Sequence, residues 1–150
     1  MKGKRLGNAQ VSFIDIHMSD CLFCEIIAGE IPSYKVYEDE DVYAMLDISQ
    51  ATKGHTLVLP KKHYENLLAM TSDESALLFS KIPNIANLLK NKLGAEGMNI
   101  ITNCGEISGQ TILHTHVHLM PRSQNDGGPD FSHTPTHDYD LGAILKEIMS

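Results

Sequence analysis

The sequence predicts a single α+β domain built on an antiparallel sheet, and three observations support this fold class. The chain has 150 residues, of which 42% are hydrophobic, a size that suits one domain with one substantial core. Short apolar stretches with strand character follow one another in the order of a meander, and one long stretch has helical periodicity. The regular alternation of strand and helix that produces a parallel sheet does not occur. We therefore expect five antiparallel strands with one long helix and short flanking helices.

The first half of the chain contains a short helix and three strands. The apolar segment Leu22–Ala28 has the length of a short helix and is closed by Gly29, since glycine is common just after helix ends. An acidic turn at 38–41 separates the first two strands and predicts a hairpin. Pro60 stops the third strand because proline has no N–H for the ladder. The three strands are Tyr34–Glu38, Val42–Asp47 and Thr56–Leu59.

The main helix begins after Thr71 and ends near Gly94. The spacing of Thr71 and Glu74 predicts a capping box, and apolar residues follow at helical spacing. Pro83 removes one backbone hydrogen bond in the middle of this segment. We therefore expect a helix that is kinked or broken at Pro83.

Two more strands follow the main helix, and a variable tail follows them. The strands are Met98–Asn103 and Leu113–Met120, joined by a polar loop. Residues 123–138 are rich in Gly, Pro, Asp, Ser and His, which predicts a long loop. Leu141–Met149 has the pattern of a closing helix.

The domain is expected to span residues 18–150, with a tail that varies from about residue 123. Residues 1–17 are basic, but polar side chains interrupt every apolar run that could serve in a signal peptide. We interpret this segment as a disordered arm or an upstream extension. The three cysteines form an odd set without an export signal, which argues against a disulfide framework and predicts a cytoplasmic protein.

Charge and hydropathy argue against several classes of partner. The formal net charge is −7, whereas proteins that bind nucleic acid normally carry positive charge to neutralise phosphates. Wholly apolar runs such as Ala76–Phe79 are far shorter than the roughly 20 residues that span a bilayer. We expect no nucleic acid and no membrane as partners, while a small nucleotide in a local pocket remains compatible with this charge.

Three histidines alternate along the last predicted strand. Because residues two apart project from the same face of a strand, His114, His116 and His118 should share one face. A solvated histidine-rich strand and an incidental metal-binding surface are the alternatives. Neutral imidazole attacks phosphorus without a helper base, since its unperturbed pKa is about 6.5. The preceding tripeptide 109–111 offers a flexible backbone, an amide and a hydroxyl that could hold phosphate oxygens.

At this point the chain resembles the histidine triad (HIT) family. The segment Gly109–Arg122 is similar to the family's His-x-His-x-His signature, although Thr115 replaces an apolar residue between the first two histidines. The likeness runs from about Asp20 to Arg122, about two-thirds of the chain. The other matching segments are Cys21–Cys24, Gly29–Pro32, Leu46–Ile48, Gly54–His63 and Asn103.

The resemblance implies a homodimer of α+β subunits, with the sheet extended across the two copies and a nucleotide site on the sheet that carries the triad. His116 would attack the α-phosphorus and form a nucleotidyl-histidine that water resolves. Asp47 would accept hydrogen bonds from the ribose hydroxyls, and Ile48 would lie against the base. The residues expected around the phosphate and leaving group are His118, His55, Asn103, Gly109, Gln110 and Thr111.

The pair Cys21 and Cys24 has the spacing of half a zinc site, and a redox dithiol is the alternative. The resemblance implies that His63 and His114 complete the ligand set. Four protein ligands leave no position for water, so Zn²⁺ would be structural.

The leading functional hypothesis is hydrolysis of purine nucleoside 5′-phosphoramidates. The products would be an amine and a nucleoside monophosphate such as AMP or GMP. A second hypothesis from the same family is cleavage of dinucleoside polyphosphates. A third belongs to another class, a zinc-stabilised nucleotide-binding scaffold without turnover.

Overall fold

The fold is that of a computed structural model, which describes residues 20–128 and 134–150. The predicted N-terminal arm at 1–17 lies outside the described residues, as does a short part of the predicted loop 123–138. The strands are β1 (Lys35–Glu38), β2 (Val42–Leu46), β3 (Thr56–Pro60), β4 (Gly97–Ile101) and β5 (Val117–Arg122). The α-helices are α1 (Leu22–Ile27), α2 (Ser72–Ser80), α3 (Ile82–Leu93) and α4 (Leu141–Met149).

The five strands form one antiparallel sheet in the order β1-β2-β3-β5-β4, which confirms the predicted fold class. The acidic hairpin turn is present, because the N–H of Asp39 donates to the carbonyl of Val42 at 3.1 Å. Strand β5 lies between β3 and β4 and is therefore paired on both sides. The last histidine of the triad thus lies in the interior of the sheet.

The predicted main helix consists of two consecutive helices, α2 and α3. Thr71 and Glu74 form the predicted capping box at the start of α2. Pro83 occupies the first turn of α3, where its missing N–H has no helical partner to lose. Gly94 ends α3 with a φ of 66°, a left-handed conformation that favours glycine.

The sheet is buried on both faces. One face packs against α2 and α3, and the other packs against α1 and its two cysteines. Because successive residues of a strand point to opposite faces, Val117 and Leu119 enter the helix-covered core. The helix-side core consists of Val42, Ala44, Val58, Leu78, Ile82, Ile85, Leu89, Val117 and Leu119.

The last strand begins later than the sequence predicts. Predicted strand Leu113–Met120 starts at Val117, so His114 and His116 precede the regular ladder. The cause lies in β3, where Pro60 has no N–H and its carbonyl accepts from Nε2 of His114 at 2.8 Å. The N–H of Thr115 donates instead to the carbonyl of Tyr64 at 2.7 Å.

The predicted closing helix is present as α4. Its N-cap is Asp140, whose side chain accepts from the N–H of Ala143 at 3.1 Å. Every residue of α4 is exposed. Within residues 20–128 and 134–150, no helix combines the length and the hydrophobicity needed to cross a membrane.

Candidate active site

The ring of His116 has a defined tautomer. Its Nδ1 lies 2.6 Å from the carbonyl oxygen of His114, and a carbonyl only accepts hydrogen bonds, so Nδ1 carries the proton. Nε2 therefore retains its lone pair. The edge of the ring packs against Phe23, with centroids 5.2 Å apart, and the backbone carbonyl of His116 accepts from the hydroxyl of Thr102 at 2.9 Å. These contacts fix the direction of the ring and the position of its proton.

A hydrogen-bonded chain of imidazoles ends at His118. The N–H of Ala51 donates to Nδ1 of His55 at 3.2 Å, which leaves the ring proton of His55 on Nε2. That Nε2 lies 2.9 Å from Nδ1 of His118 and donates to it. His118 therefore carries its own proton on Nε2. The ring centroids of His116 and His118 are 5.0 Å apart, which brings an unprotonated nitrogen and an N–H donor close together.

Burial lowers the pKa of all three triad histidines. For His114 and His118 the pKa falls to about 4, chiefly because burial disfavours the charged ring. Burial also lowers the pKa of His116, although the carbonyl of His114 and the charge of Asp47 oppose that effect. The imidazoles are consequently neutral at neutral pH.

Asp47 and Ile48 lie at the end of β2, next to the imidazole chain. Oδ2 of Asp47 is 3.7 Å from Nε2 of His55, and Oδ1 accepts from the N–H of Ser49 at 2.8 Å. Ile48 is 91% exposed and presents an apolar surface at this edge.

Gln50, which the sequence analysis did not identify, holds the loop after β2. Its side chain accepts a hydrogen bond from the N–H of Gly54 and donates one to the carbonyl of His55, both at 2.8 Å. Polar loop residues are common, so the sequence held no specific signal for it.

Asp47, His55 and His118 also place three ligand-type atoms within 4.8 Å of one another. The hydrogen bonds of His55 favour a hydrogen-bonded chain over a metal site here, since its Nε2 donates a hydrogen bond to His118 and has no free lone pair.

The predicted phosphate loop differs in the environments of its residues. Gly109 and Thr111 are exposed, whereas Gln110 is 3% exposed. Asn103 lies against Gly109, because a Cβ at Gly109 would be 3.6 Å from its Nδ2. Thr111 lines a cleft of about 470 Å³ together with Cys24 and His63. A direct contact between Gln110 and phosphate stays a prediction, since protein atoms already occupy its amide.

The four predicted metal ligands converge beside α1. Nδ1 of His114 lies 3.4 Å from Sγ of Cys21, 3.5 Å from Sγ of Cys24 and 3.2 Å from Nδ1 of His63. Sγ of Cys24 lies 3.4 Å from Nδ1 of His63. Because Nε2 of His114 donates to Pro60, its Nδ1 directs a lone pair at the cluster. The group can hold a metal ion.

The electrostatics of the cluster suit a cation. Without one, the pKa of the Cys24 thiol is raised to about 12, chiefly by burial and also by the hydrogen bond and charge of Cys21. A bound cation reverses that effect, because it stabilises thiolates directly. The surroundings of the cluster therefore destabilise free thiolates, whereas a bound metal ion would stabilise them.

Known proteins of one family resemble this chain over most of its length. The HIT domain matches residues 28–125. The protein hit of Bacillus subtilis (strain 168) is 47% identical over 133 residues, which cover 86% of this chain and 92% of the relative. The crystal structure of a HIT family member from Bacillus subtilis superimposes with a TM-score of 0.79 at 45% identity, and the match covers 86% of this chain and 94% of that one.

A relative with a named activity also matches. Adenylylsulfatase HINT3 of Arabidopsis thaliana is 40% identical over 108 residues, which cover 72% of this chain and 55% of the relative.

Proposed function

Because this chain belongs to the HIT domain family, we propose that it hydrolyses nucleoside 5′-phosphoramidates through a covalent intermediate on His116. The expected products are a purine nucleoside monophosphate, such as AMP or GMP, and an amine. The observation that carries the proposal is the hydrogen bond from Nδ1 of His116 to the carbonyl of His114, because it leaves Nε2 as an unprotonated nucleophile.

The reaction takes two displacements at phosphorus. In the first, Nε2 of His116 forms a bond to the α-phosphorus, the P–N bond breaks, and the amine takes a proton from solvent as it leaves. In the second, water attacks the phosphorus, the P–Nε2 bond breaks, and the proton that water loses balances the one taken by the amine. Between these steps the ring of His116 is positively charged, and the carbonyl of His114 stabilises that charge through Nδ1–H.

The remaining site residues would bind the nucleotide. The tautomer of His118 supports donation from its Nε2–H to a phosphate oxygen, since His55 already occupies its Nδ1. A carboxylate only accepts hydrogen bonds and can serve both vicinal hydroxyls of a ribose, which suits Asp47. The exposed side chain of Ile48 would cover the base. The loop proposed on the phosphate and leaving-group side contains Asn103, Gly109 and Thr111 as candidate contacts, together with the buried Gln110.

We also propose that Cys21, Cys24, His63 and His114 bind a structural zinc ion. Tetrahedral zinc with its usual bond lengths separates its ligand atoms by about 3.3 to 3.8 Å, from two nitrogens to two sulfurs. Four of the six distances between ligand atoms of the cluster are 3.2 to 3.5 Å, which supports this ligand set. Zinc with four protein ligands supplies cross-linking and no reactive water. The bound zinc ion would hold His114 in place, and the carbonyl of His114 in turn accepts the hydrogen bond that orients the ring of His116.

The edges of the sheet favour a homodimer formed through β4. Strand β1, at one edge, carries the charged pair Lys35 and Glu38, 2.8 Å apart, and charges on an edge strand oppose pairing. Strand β4, at the other edge, has no charged residue, and its Ile100 is 49% exposed. An uncharged edge strand with an exposed apolar side chain is a template for pairing with a second copy.

Other leaving groups fit the same attack on phosphorus. The relative HINT3 is named an adenylylsulfatase, which favours adenylyl sulfate as a second candidate substrate. Dinucleoside polyphosphates, in which a nucleotide leaves, form a third class. A nucleotide-binding scaffold without turnover is the non-enzymatic alternative.

The test is a substrate panel with two histidine variants. Wild type, His116→Ala and the exposed-site control His137→Ala are incubated with an adenosine phosphoramidate, adenylyl sulfate and diadenosine tetraphosphate, and products are quantified. We expect AMP and free amine from wild type and His137→Ala, with kcat/KM reduced at least about a thousand-fold in His116→Ala. Wild-type turnover by His116→Ala would refute the nucleophile. Faster release of AMP and ATP from the tetraphosphate would reverse the substrate order, and AMP binding without turnover would favour the scaffold.

A further inference from the structure

The side chain of Gln110 lies buried between three segments of backbone. Its Oε1 accepts from the N–H of Gly105 at 2.8 Å and from Nδ2 of Asn66 at 3.4 Å. Its Nε2 donates to the carbonyls of Glu65 at 2.6 Å and Ile112 at 3.0 Å. An amide has two N–H groups and two principal lone pairs, and all four are used here.

The segments joined by Gln110 belong to both halves of the site. Glu65 follows the metal-ligand residue His63 by two positions, and Ile112 precedes His114 by two. Gly105 begins the tight turn that leads to Gly109, and the N–H of Gln110 donates to its carbonyl at 3.2 Å. One amide thus ties the proposed phosphate loop to the segment that carries a metal ligand.

The same metal-ligand segment also holds the start of the triad. The carbonyl of Tyr64 accepts from the N–H of Thr115 at 2.7 Å and from its hydroxyl at 3.2 Å. Thr115 lies between the first two triad histidines and has no contact with the Gln110 amide among the described hydrogen bonds. Movement of 64–66 would therefore reach His114 and His116 through Thr115.

We propose that Gln110 is a positioning residue that locks the phosphate loop 105–112 to the metal-ligand segment 63–66, and that it does not bind the phosphate itself. This inference rests on the proposed function for its effect on turnover. Contact with a phosphate would require Gln110 to release buried backbone partners, and buried polar groups without partners are costly. Its contribution is to hold Thr111 on one side and His63 on the other.

Two substitutions separate positioning from substrate binding. Gln110→Glu keeps the length but cannot donate to the two carbonyls, and Gln110→Met keeps the length without strong hydrogen bonding. Gln124→Glu, at an exposed glutamine, is the matched control. The readouts are amide hydrogen exchange at Thr115, the rate at which a chelator removes zinc from the folded protein, and kcat and KM for the phosphoramidate. Circular dichroism confirms that each variant is folded at the assay temperature.

For both Gln110 variants we expect exchange at Thr115 and loss of zinc to be at least about ten-fold faster, and kcat to fall roughly ten-fold to a hundred-fold with KM nearly unchanged. The control should match wild type in all three. Wild-type exchange at Thr115 with a raised KM would overturn the proposal and make Gln110 a substrate ligand. Failure of the proposed function has a different signature, absence of wild-type turnover, and exchange at Thr115 would still decide the role of Gln110.

Discussion

The carbonyl oxygen of His114 lies 2.6 Å from Nδ1 of His116, while Nδ1 of His114 itself faces the cysteine and histidine cluster. One residue therefore presents its ring to the metal-ligand cluster and its backbone to the proposed nucleophile. Any displacement of the His114 ring would alter the hydrogen bond that sets the tautomer of His116. Through this relationship the cluster would influence the proposed nucleophile without taking part in the proposed reaction.

Loss of one thiolate should remove the proposed zinc ion. In Cys24→Ser we expect metal content to fall from about one zinc per chain to near zero, because a serine hydroxyl is a poor zinc ligand at neutral pH. The melting temperature should fall with it, since metal binding stabilises the folded state. Elemental analysis and calorimetry measure both quantities. Cys104→Ser is the matched control, and full zinc content in Cys24→Ser would exclude this ligand set.

Asp47 should distinguish ribonucleotides from deoxyribonucleotides. A hydrogen bond to a charged group contributes about 1.5 to 3 kcal/mol, which corresponds to roughly a ten-fold to hundred-fold preference in kcat/KM for the ribose substrate. Asp47→Asn should reduce that preference, because the amide offers one acceptor where the carboxylate offers two. Competition between adenosine and 2′-deoxyadenosine phosphoramidates measures the ratio. The variant Asp73→Asn, at an exposed position, should keep the wild-type preference. An unchanged ratio in Asp47→Asn would show that Asp47 does not bind the ribose hydroxyls.

Asp39 should make the stability of the fold depend on acid pH. Burial opposes ionisation of its carboxyl, but hydrogen bonds from the N–H groups of Asp41 and Val42, the Tyr37 hydroxyl and the Lys81 ammonium outweigh burial and lower its pKa. A group with a lowered folded-state pKa stabilises the fold above its unfolded pKa of about 3.9, and that stabilisation is lost as pH falls through the folded-state pKa.

The corresponding measurement is urea unfolding of Asp39→Asn between pH 7 and pH 2. We expect the variant to be less stable than wild type by about 1 kcal/mol at pH 7 and to approach it at the acid end, because only wild type loses the charge. Glu40→Gln, at an exposed position of the same turn, controls for the change in net charge. A constant difference across the pH range would show that charge on Asp39 plays no part.

A charge on the β4 edge should weaken the proposed homodimer. Ile100→Lys places an ammonium on this otherwise uncharged edge strand, and charged edges resist pairing. Sedimentation equilibrium should show a dimer for wild type and a dissociation constant at least about ten-fold higher for the variant. Ile107→Lys alters an exposed isoleucine outside the strands and should leave association unchanged. If Ile100→Lys dimerised as tightly as Ile107→Lys and wild type, the dimer contact would lie on a surface other than β4.

Much of the fold follows from local patterns. The capping box at Thr71, the break at Pro83 and the helix end at Gly94 are each set by side-chain or backbone chemistry within a few residues, and the structure confirms all three. The late start of β5 could not be predicted, because it depends on Pro60 in a neighbouring strand. The alternation of apolar and polar residues along β5 cannot show that the neighbouring strand lacks a backbone N–H at Pro60.

The sequence by itself determined the antiparallel α+β class, since periodicity is a local property, and its resemblance to the HIT family supplied the residues of the candidate site. Only the tertiary structure decided how each imidazole is used. Backbone carbonyls and N–H groups from distant segments set the tautomers: Pro60 for His114, the carbonyl of His114 for His116, and Ala51 through His55 for His118. Every residue has these backbone groups, so no sequence pattern marks them, and their effect arises when folding brings them within hydrogen-bonding distance.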